Sequence, residues 1–166
     1  MTTEQNLKDA FAGESQANRK YLAFAKKAEQ EGYKQVAKLF RAAAEAETVH
    51  AISHLKAMEG VGATEENLQE AIDGETHEYV EMYPEMIKEA EKEKNNIALI
   101  SFNRAKAAEE VHAGLYQTAL DSVKSGKDLD HQDIYVCPVC GHTVEGSAPD
   151  KCPVCGATKD MFMRIE

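Results

Sequence analysis

Two copies of a Glu-x-x-His motif are the residues of this sequence with the clearest capacity for chemistry. Glu47 pairs with His50 in the first copy, and Glu109 pairs with His112 in the second. Residues three positions apart share one face of an α-helix, so each motif presents a carboxylate and an imidazole side by side. Carboxylate oxygens and imidazole nitrogens suit iron and manganese. The motifs therefore predict metal binding by two helices.

An internal repeat supplies further glutamates at matching positions. Residues 3–15, TEQNLKDAFAGES, return as residues 64–76, TEENLQEAIDGET, which makes Glu14 and Glu75 equivalent. One glutamate from each of two helices, plus Glu-x-x-His from each of two others, is the ligand pattern of di-iron and di-manganese carboxylate bundles. Glu78 follows Glu75 by three residues on a similar helical face, but it has no acidic counterpart in the first copy.

Long helices must position these ligands, and the sequence predicts two helical hairpins, residues 3–59 and 64–125. Apolar residues recur at helical spacing, and the expected helices are 3–30, 34–59, one beginning at Thr64, and 96–125. Within each hairpin the ligands lie at similar distances from the turn, so four helices would bring them to one level. Pro84 falls inside the third helix, where it should kink the axis or remove a hydrogen bond.

The four cysteines form a second candidate metal site, which we call the four-cysteine site. Cys137 and Cys140 belong to one C-P-x-C-G knuckle, and Cys152 and Cys155 belong to another. Two such pairs provide four thiolates for a tetrahedral site that holds zinc or a single iron. The spacing alone leaves zinc and iron open, and a zinc ribbon that only stabilises the tail is an alternative.

The composition changes after Gly126, which indicates a domain boundary. We expect a helical domain over residues 1–126, a polar linker over 127–133 and a metal-knuckle domain over 134–166. A domain shorter than about 40 residues usually needs a metal or crosslinks for stability. The sequence therefore predicts that metal binding by the four cysteines stabilises the fold of residues 134–166.

The charge balance narrows the range of partners. The chain of 166 residues has 19 basic and 29 acidic side chains and a formal net charge of −10. A protein that binds nucleic acid or an anionic membrane needs a basic face, so neither is an expected partner. The N-terminal residues show no signal peptide, and no apolar run approaches the roughly 20 residues that span a bilayer. We expect a cytoplasmic protein, in which cysteine pairs bind metal more often than they form disulfides.

The sequence resembles rubrerythrin over essentially its whole length. The residues that carry the resemblance are GES at 13–15, AEAETVHA at 44–51, GETHEYVEMYP at 74–84, AAEEVHA at 107–113 and the paired CPVCG knuckles. The resemblance implies a mainly α fold, in which a ferritin-like four-helix bundle is followed by a small rubredoxin-like domain. It also implies two non-haem irons in an oxo- and carboxylate-bridged site, and one iron in the four-cysteine site, with zinc or manganese substitution possible.

Activity and partners follow from the same resemblance. Rubrerythrins are non-haem peroxidases that reduce hydrogen peroxide to water and protect cells from oxidative stress. Electrons come from NAD(P)H through a reductase, often by way of rubredoxin, and enter at the iron of the four-cysteine site. Two alternatives stay open: a ferritin-type ferroxidase or iron-storage protein, and a non-enzymatic metal-binding protein with a zinc ribbon.

The resemblance also implies roles for the individual ligands. Glu47 and Glu109 would bridge the irons, Glu14 and Glu75 would be terminal ligands, and His112 would hold one iron.

Four further roles concern the reaction itself. The second iron would exchange Glu78 for His50 when it is reduced, and Tyr21 and Tyr83 match family tyrosines near the cluster. Glu78, His50 and the two tyrosines are therefore the candidate catalytic residues.

The connection between the hairpins predicts a particular assembly. In ferritin-like bundles helices 2 and 3 run parallel, so their connection must travel about 40 Å. Residues 60–63 can reach only about 14 Å. We therefore expect a domain-swapped homodimer, in which helices 1–2 of one chain meet helices 3–4 of the other. In the family, the rubredoxin-like domain of one subunit typically serves the di-iron site of its partner.

Overall fold

The computed structural model describes residues 2–166, which are mostly helical. The chain folds into two compact units, one ending at Gly62 and the other beginning at Ala63. The helices are α1 (Thr3–Gln30), α2 (Lys34–Ala57), α3 (Thr64–His77), α4 (Tyr83–Lys92) and α5 (Asn96–Lys124), with a π-helical turn (Glu78–Met82) between α3 and α4. The strands are β1 (Ile134–Val136), β2 (Thr143–Glu145) and β3 (Met163–Ile165), with a 3₁₀ helix (Lys159–Met161) before β3.

The first unit is the predicted hairpin of α1 and α2. The Thr2 hydroxyl accepts a hydrogen bond from the Gln5 N–H at 3.2 Å and so caps α1. Gly32, at a φ of +86°, makes the turn. The buried apolar side chains of the described part of this unit are all alanines: Ala25, Ala28, Ala37, Ala44 and Ala51. Small side chains let the two helices approach closely, but they bury little apolar surface.

Larger apolar side chains of the first unit remain uncovered. Leu39 is 69% exposed, and the other members of this group are Phe24, Tyr33, Val36, Val49, Ile52 and Val61. Burial of such side chains contributes about 1.5–3 kcal/mol each. The hairpin therefore presents an apolar surface that a further helical layer would stabilise.

The second unit begins with α3, which continues through the π-helical turn into α4, and all three pack on α5. The sequence predicted one helix with a kink or a missing hydrogen bond at Pro84. The structure places the irregularity just before Pro84, as the wide turn Glu78–Met82, and Pro84 lies in the first turn of α4. Proline lacks an N–H and its ring crowds the carbonyl four residues earlier, and the wide π-helical turn directly before Pro84 accommodates both effects.

The rest of the second unit is a three-stranded antiparallel sheet in the order β2-β1-β3. Tyr135 pairs with Val144 on one side and with Arg164 on the other. The backbone N–H of Cys137 donates to the His142 carbonyl at 2.9 Å, and that of Cys152 donates to the Ala157 carbonyl at 2.7 Å. These two bonds close the turns that carry the cysteines.

Among the described helices, none is both long and apolar enough to cross a lipid bilayer.

Candidate metal centres

The four cysteine sulfurs converge on one point in the small sheet domain. Cys137 Sγ lies 3.6 Å from Cys155 Sγ, and Cys140 Sγ lies 3.5 Å from Cys152 Sγ. A disulfide would require about 2.05 Å. Sulfurs at the corners of a tetrahedron, each about 2.3 Å from a metal, lie about 3.8 Å apart. The cysteines are therefore free thiols with the spacing of a tetrahedral metal site.

The local backbone favours thiolate formation at Cys152. Burial opposes ionisation of this thiol, but backbone N–H groups of Val154 and Cys155 and the neighbouring thiols outweigh it and lower its pKa to about 7. Burial raises the pKa of the Cys140 thiol. Four sulfurs this close cannot all be anionic without a cation between them. The donor set therefore fits a metal ion.

The first hairpin brings Glu14, Glu47 and His50 together, with one ligand atom of each within 4.8 Å of the others. His50 Nδ1 lies 3.0 Å from Glu47 Oε2. A hydrogen bond between the carboxyls of Glu14 and Glu47 raises the pKa of Glu14 and lowers that of Glu47. One proton shared by two carboxyl groups occupies the place that a cation would take.

The second hairpin repeats this arrangement with Glu75, Glu109 and His112. His112 Nδ1 lies 2.8 Å from Glu109 Oε2 and 3.7 Å from Glu75 Oε1. Burial, and then the hydrogen bond with Glu109 and the charge of that residue, raise the pKa of Glu75 to about 7. The His112 side chain is 24% exposed, against 54% for His50, so the second cluster is the more enclosed.

Glu78 lies beside the second cluster rather than inside it. The structure places it in the π-helical turn, and it does not reach the group formed by Glu75, Glu109 and His112. Burial raises its pKa, and the negative charge of Glu109 raises it further. The candidate residue that breaks the repeat symmetry therefore occupies the irregular part of the helix.

The two candidate tyrosines have different surroundings. Tyr21 packs its ring against Phe24 and Phe40 at 6.3 and 6.2 Å. Burial raises the pKa of Tyr83, followed by the charges of Glu78 and the other second-hairpin glutamates. Within residues 2–166, neither hydroxyl hydrogen-bonds a glutamate. Tyr83 nonetheless lies in the electrostatic field of the second cluster.

Sequence reasoning missed two polar residues of the small sheet domain. Thr143 Oγ1 lies 2.9 Å from His112 Nε2, and His142 Nδ1 is buried with no hydrogen-bond partner among the described residues. Burial, and then the proximity of His112, lowers the pKa of His142. The sequence does show that each knuckle continues as C-G-x-T, ending at Thr143 and Thr158. It gives no sign that only the first of these threonines meets α5.

Comparison with known proteins agrees with this geometry. Residues 5–120 match the family model described as rubrerythrin, and residues 135–163 match that described as the rubrerythrin rubredoxin-like domain. The chain belongs to the rubrerythrin family. The ferritin-like bundle followed by a rubredoxin-like domain, which the sequence predicted, is thereby confirmed as the fold class of this rubrerythrin-family chain.

Individual relatives match nearly the whole chain. Rubrerythrin-2 of Clostridium acetobutylicum is 37% identical, over 96% of this chain and 95% of its own length. Nigerythrin of Nitratidesulfovibrio vulgaris is also 37% identical, over 97% of this chain and 85% of its own. A solved structure of nigerythrin in its fully reduced, all-ferrous state matches with a TM-score of 0.60 and 36% identity, over 99% of this chain and 87% of that one.

The two kinds of donor set fit the two kinds of iron site in this rubrerythrin-family protein. Carboxylates and imidazoles in paired clusters suit a di-iron carboxylate site, because hard oxygen ligands accept both ferrous and ferric ions. Four thiols at tetrahedral spacing suit a rubredoxin-like iron site. The chain is therefore an iron-binding protein with a carboxylate site and a four-cysteine site.

Proposed function

We propose that this protein is a non-haem di-iron peroxidase that reduces hydrogen peroxide to water. The observation that carries the proposal is the hydrogen bond between Thr143 of the rubredoxin-like domain and His112 of the second cluster. It joins a one-electron site to a carboxylate site, and iron storage does not require such a connection. The reaction consumes one hydrogen peroxide, two protons and two electrons and yields two waters.

The chain's own residues have separate tasks in this reaction. When bound, two ferrous ions supply the two electrons that cleavage of the O–O bond requires. Glu47 and Glu109 are proposed as bridging ligands, with Glu14 and Glu75 as terminal ones and His112 on one metal. Their pairing within each hairpin supports these roles, because each pair already shares a proton.

Glu78 and His50 are proposed to exchange as ligands of the other metal. Two features of the structure support this proposal. Glu78 lies in the π-helical turn just outside its cluster, and His50 is the more exposed histidine ligand. The ring of His50 is therefore less enclosed than that of His112, which has a contact on each ring nitrogen.

Electrons are proposed to enter at the iron of the four-cysteine site from rubredoxin or from an NAD(P)H:rubredoxin oxidoreductase. Cys140 and Cys155 are only partly buried, so an external donor can approach the sulfurs closely. The four cysteines are free, and a reducing compartment, for which we propose the cytoplasm, keeps them available for iron.

We infer that the functional molecule is a domain-swapped homodimer. Each hairpin holds three ligands of a site that needs more, and the first hairpin leaves large apolar side chains such as Leu39 uncovered. In the dimer, the first hairpin of one chain would cover the second hairpin of its partner. The rubredoxin-like domain would then serve a site to which both chains contribute.

The test is an anaerobic oxidation of the fully reduced, iron-loaded protein. Stoichiometric hydrogen peroxide should reoxidise it rapidly, and dioxygen should do so much more slowly. The absorbance of the ferric four-cysteine site measures how many electrons the peroxide has removed. Metal analysis should give three irons per chain. A faster reaction with dioxygen would favour a ferroxidase, and zinc in the four-cysteine site would favour a structural ribbon.

A further inference from the structure

The rubredoxin-like domain meets α5 at the helical turn that carries the metal ligands. His112 Nε2 lies 2.9 Å from Thr143 Oγ1 of β2. A Cβ added at Gly141, the residue after Cys140, would lie 3.7 Å from the Ala108 methyl group. The first cysteine knuckle therefore packs its backbone directly on α5, one residue before Glu109.

The donors and acceptors around this contact favour one tautomer of His112 once a metal is bound. A threonine hydroxyl has one proton, and that of Thr143 goes to the Gly141 carbonyl at 3.2 Å. His112 Nε2 lies 2.9 Å from the same hydroxyl oxygen, so a proton on Nε2 can be donated to Thr143. Without a metal, the 2.8 Å contact between Nδ1 and Glu109 needs a proton between the two atoms; a metal beside Glu109 and Glu75 would take that place and leave the imidazole proton on Nε2. The Thr143 hydroxyl can therefore stabilise the tautomer in which His112 binds a metal through Nδ1.

The second knuckle shows that this contact is not a general requirement of a four-cysteine site. Thr158 is the equivalent residue in the repeated C-G-x-T sequence. It is exposed, and it pairs with Lys151 in an isolated β-bridge instead of meeting a helix. Thr143 and Thr158 are therefore equivalent in sequence, but only Thr143 contacts a candidate metal ligand of the helices, His112.

We propose that Thr143 is a positioning residue for His112 and that it completes the electron route from the four-cysteine site to the carboxylate site. The route runs from Cys140 through the Gly141 carbonyl and the Thr143 hydroxyl to the His112 imidazole, all within one chain. With iron bound at both sites, these residues would carry one electron from the four-cysteine site, whose iron would go from ferrous to ferric, to the carboxylate site, where one ferric ion would become ferrous. The external donor then restores the iron of the four-cysteine site. The proposal rests on the peroxidase function, whereas the tautomer assignment does not.

The experiment compares Thr143→Val, Thr143→Ser and the matched control Thr158→Val with the unmodified iron-loaded protein. The visible spectrum of the ferric four-cysteine site should be the same in all four, which shows that the domain is folded and loaded. After the reduced proteins are mixed with peroxide, the absorbance of this ferric site should develop about 10- to 100-fold more slowly in Thr143→Val. Thr143→Ser, which keeps the hydroxyl, and Thr158→Val should match the unmodified protein.

A second readout does not depend on activity. In zinc-loaded protein, which is diamagnetic, nitrogen-15 NMR of His112 should show a proton on Nε2 that exchanges slowly with water. Thr143→Val should lose this protection and Thr143→Ser should keep it. An equally protected Nε2 proton in Thr143→Val would overturn the positioning role, and an unchanged electron-transfer rate would overturn the route. Failure of peroxide to oxidise the unmodified protein would instead count against the peroxidase function, and the NMR comparison would still decide on Thr143.

Discussion

The carboxyl groups of Glu75 and Glu109 share a hydrogen bond between α3 and α5, and burial together with this bond raises the pKa of Glu75 to about 7. Below this pH the pair holds a proton that a metal ion must displace. The affinity of the carboxylate site for ferrous ion should therefore fall about tenfold for each pH unit below 7 and change little above it. Anaerobic titrations between about pH 5.5 and 8 measure this dependence.

Two variants show whether Glu75 is the source of the pH dependence. Glu75→Gln cannot hold the competing proton, so its weaker iron binding should have a flatter pH profile. Glu70→Gln, at an exposed position of the same helix, should retain the full slope. An equally steep slope in Glu75→Gln would assign the proton to another group.

Domain swapping can be tested by complementation between two inactive chains. One chain carries Glu47→Ala with His50→Ala, and the other carries Glu109→Ala with His112→Ala. Random mixing by coexpression should yield about a quarter of the normal number of intact carboxylate sites, because half of the dimers are mixed and each has one complete site. The iron content and the peroxide turnover of the mixture measure the fraction of intact carboxylate sites.

The same mixture distinguishes the competing assembly. If both hairpins of a site came from one chain, every site would lack two ligands, and coexpression would restore nothing. Separately expressed chains mixed after folding serve as the control, since exchange of swapped hairpins requires partial unfolding.

The ligand clusters could be predicted from the sequence because their geometry is local. Glu47 and His50 are three residues apart on one helix, and that spacing alone fixes their proximity. The internal repeat extended the argument to Glu14 and Glu75. The cysteine knuckles were predictable for the same reason, since two C-x-x-C pairs define a tetrahedral site without knowledge of the remaining fold.

Features that depend on distant contacts could not be predicted. Pro84 signalled an interruption of the third helix, but a kink, a break and a π-helical turn all accommodate a proline. Thr143 and Thr158 occupy equivalent sequence positions, and only the docking of the first knuckle on α5 distinguishes them. Docking is determined by surface complementarity between segments far apart in the chain, which a sequence pattern does not encode.

Asn18 provides a prediction about stability in the first hairpin. Its side-chain N–H₂ group donates to the Ala44 carbonyl at 2.7 Å and to Thr48 Oγ1 at 2.8 Å, and the residue is only 8% exposed. Asn18→Ala should lower the free energy of unfolding by about 1–3 kcal/mol, because a buried acceptor loses its donor. Denaturant unfolding of the iron-loaded protein measures the change. Gln16→Ala, at an exposed position of the same helix, corrects for the helix propensity of alanine and should be near neutral.

Removal of the metal from the four-cysteine site should unfold residues 134–166 while the helices persist. Metal binding at such sites contributes about 10–16 kcal/mol, far more than a segment this short gains from apolar burial. A chelator with a reductant should therefore abolish the slow exchange of the Cys137 and Cys152 amide protons, which donate to backbone carbonyls in the folded domain. Helical circular dichroism should fall only slightly. Slow exchange at these amides without metal would show that the domain is stable by itself.

Tyr83 provides the last prediction, which concerns proton supply. Burial and the charges of Glu78, Glu109 and Glu75 raise its pKa, so the phenol keeps its proton at neutral and mildly alkaline pH. A protonated phenol beside the second cluster can donate to an oxygen of the peroxide as the O–O bond breaks. Tyr83→Phe should therefore slow peroxide oxidation of the reduced protein about 10- to 100-fold without changing its iron content. Tyr33→Phe is the matched control, because Tyr33 is 61% exposed and belongs to none of the candidate ligand clusters. Equal rates in Tyr83→Phe and the unmodified protein would show that the proton comes from another donor.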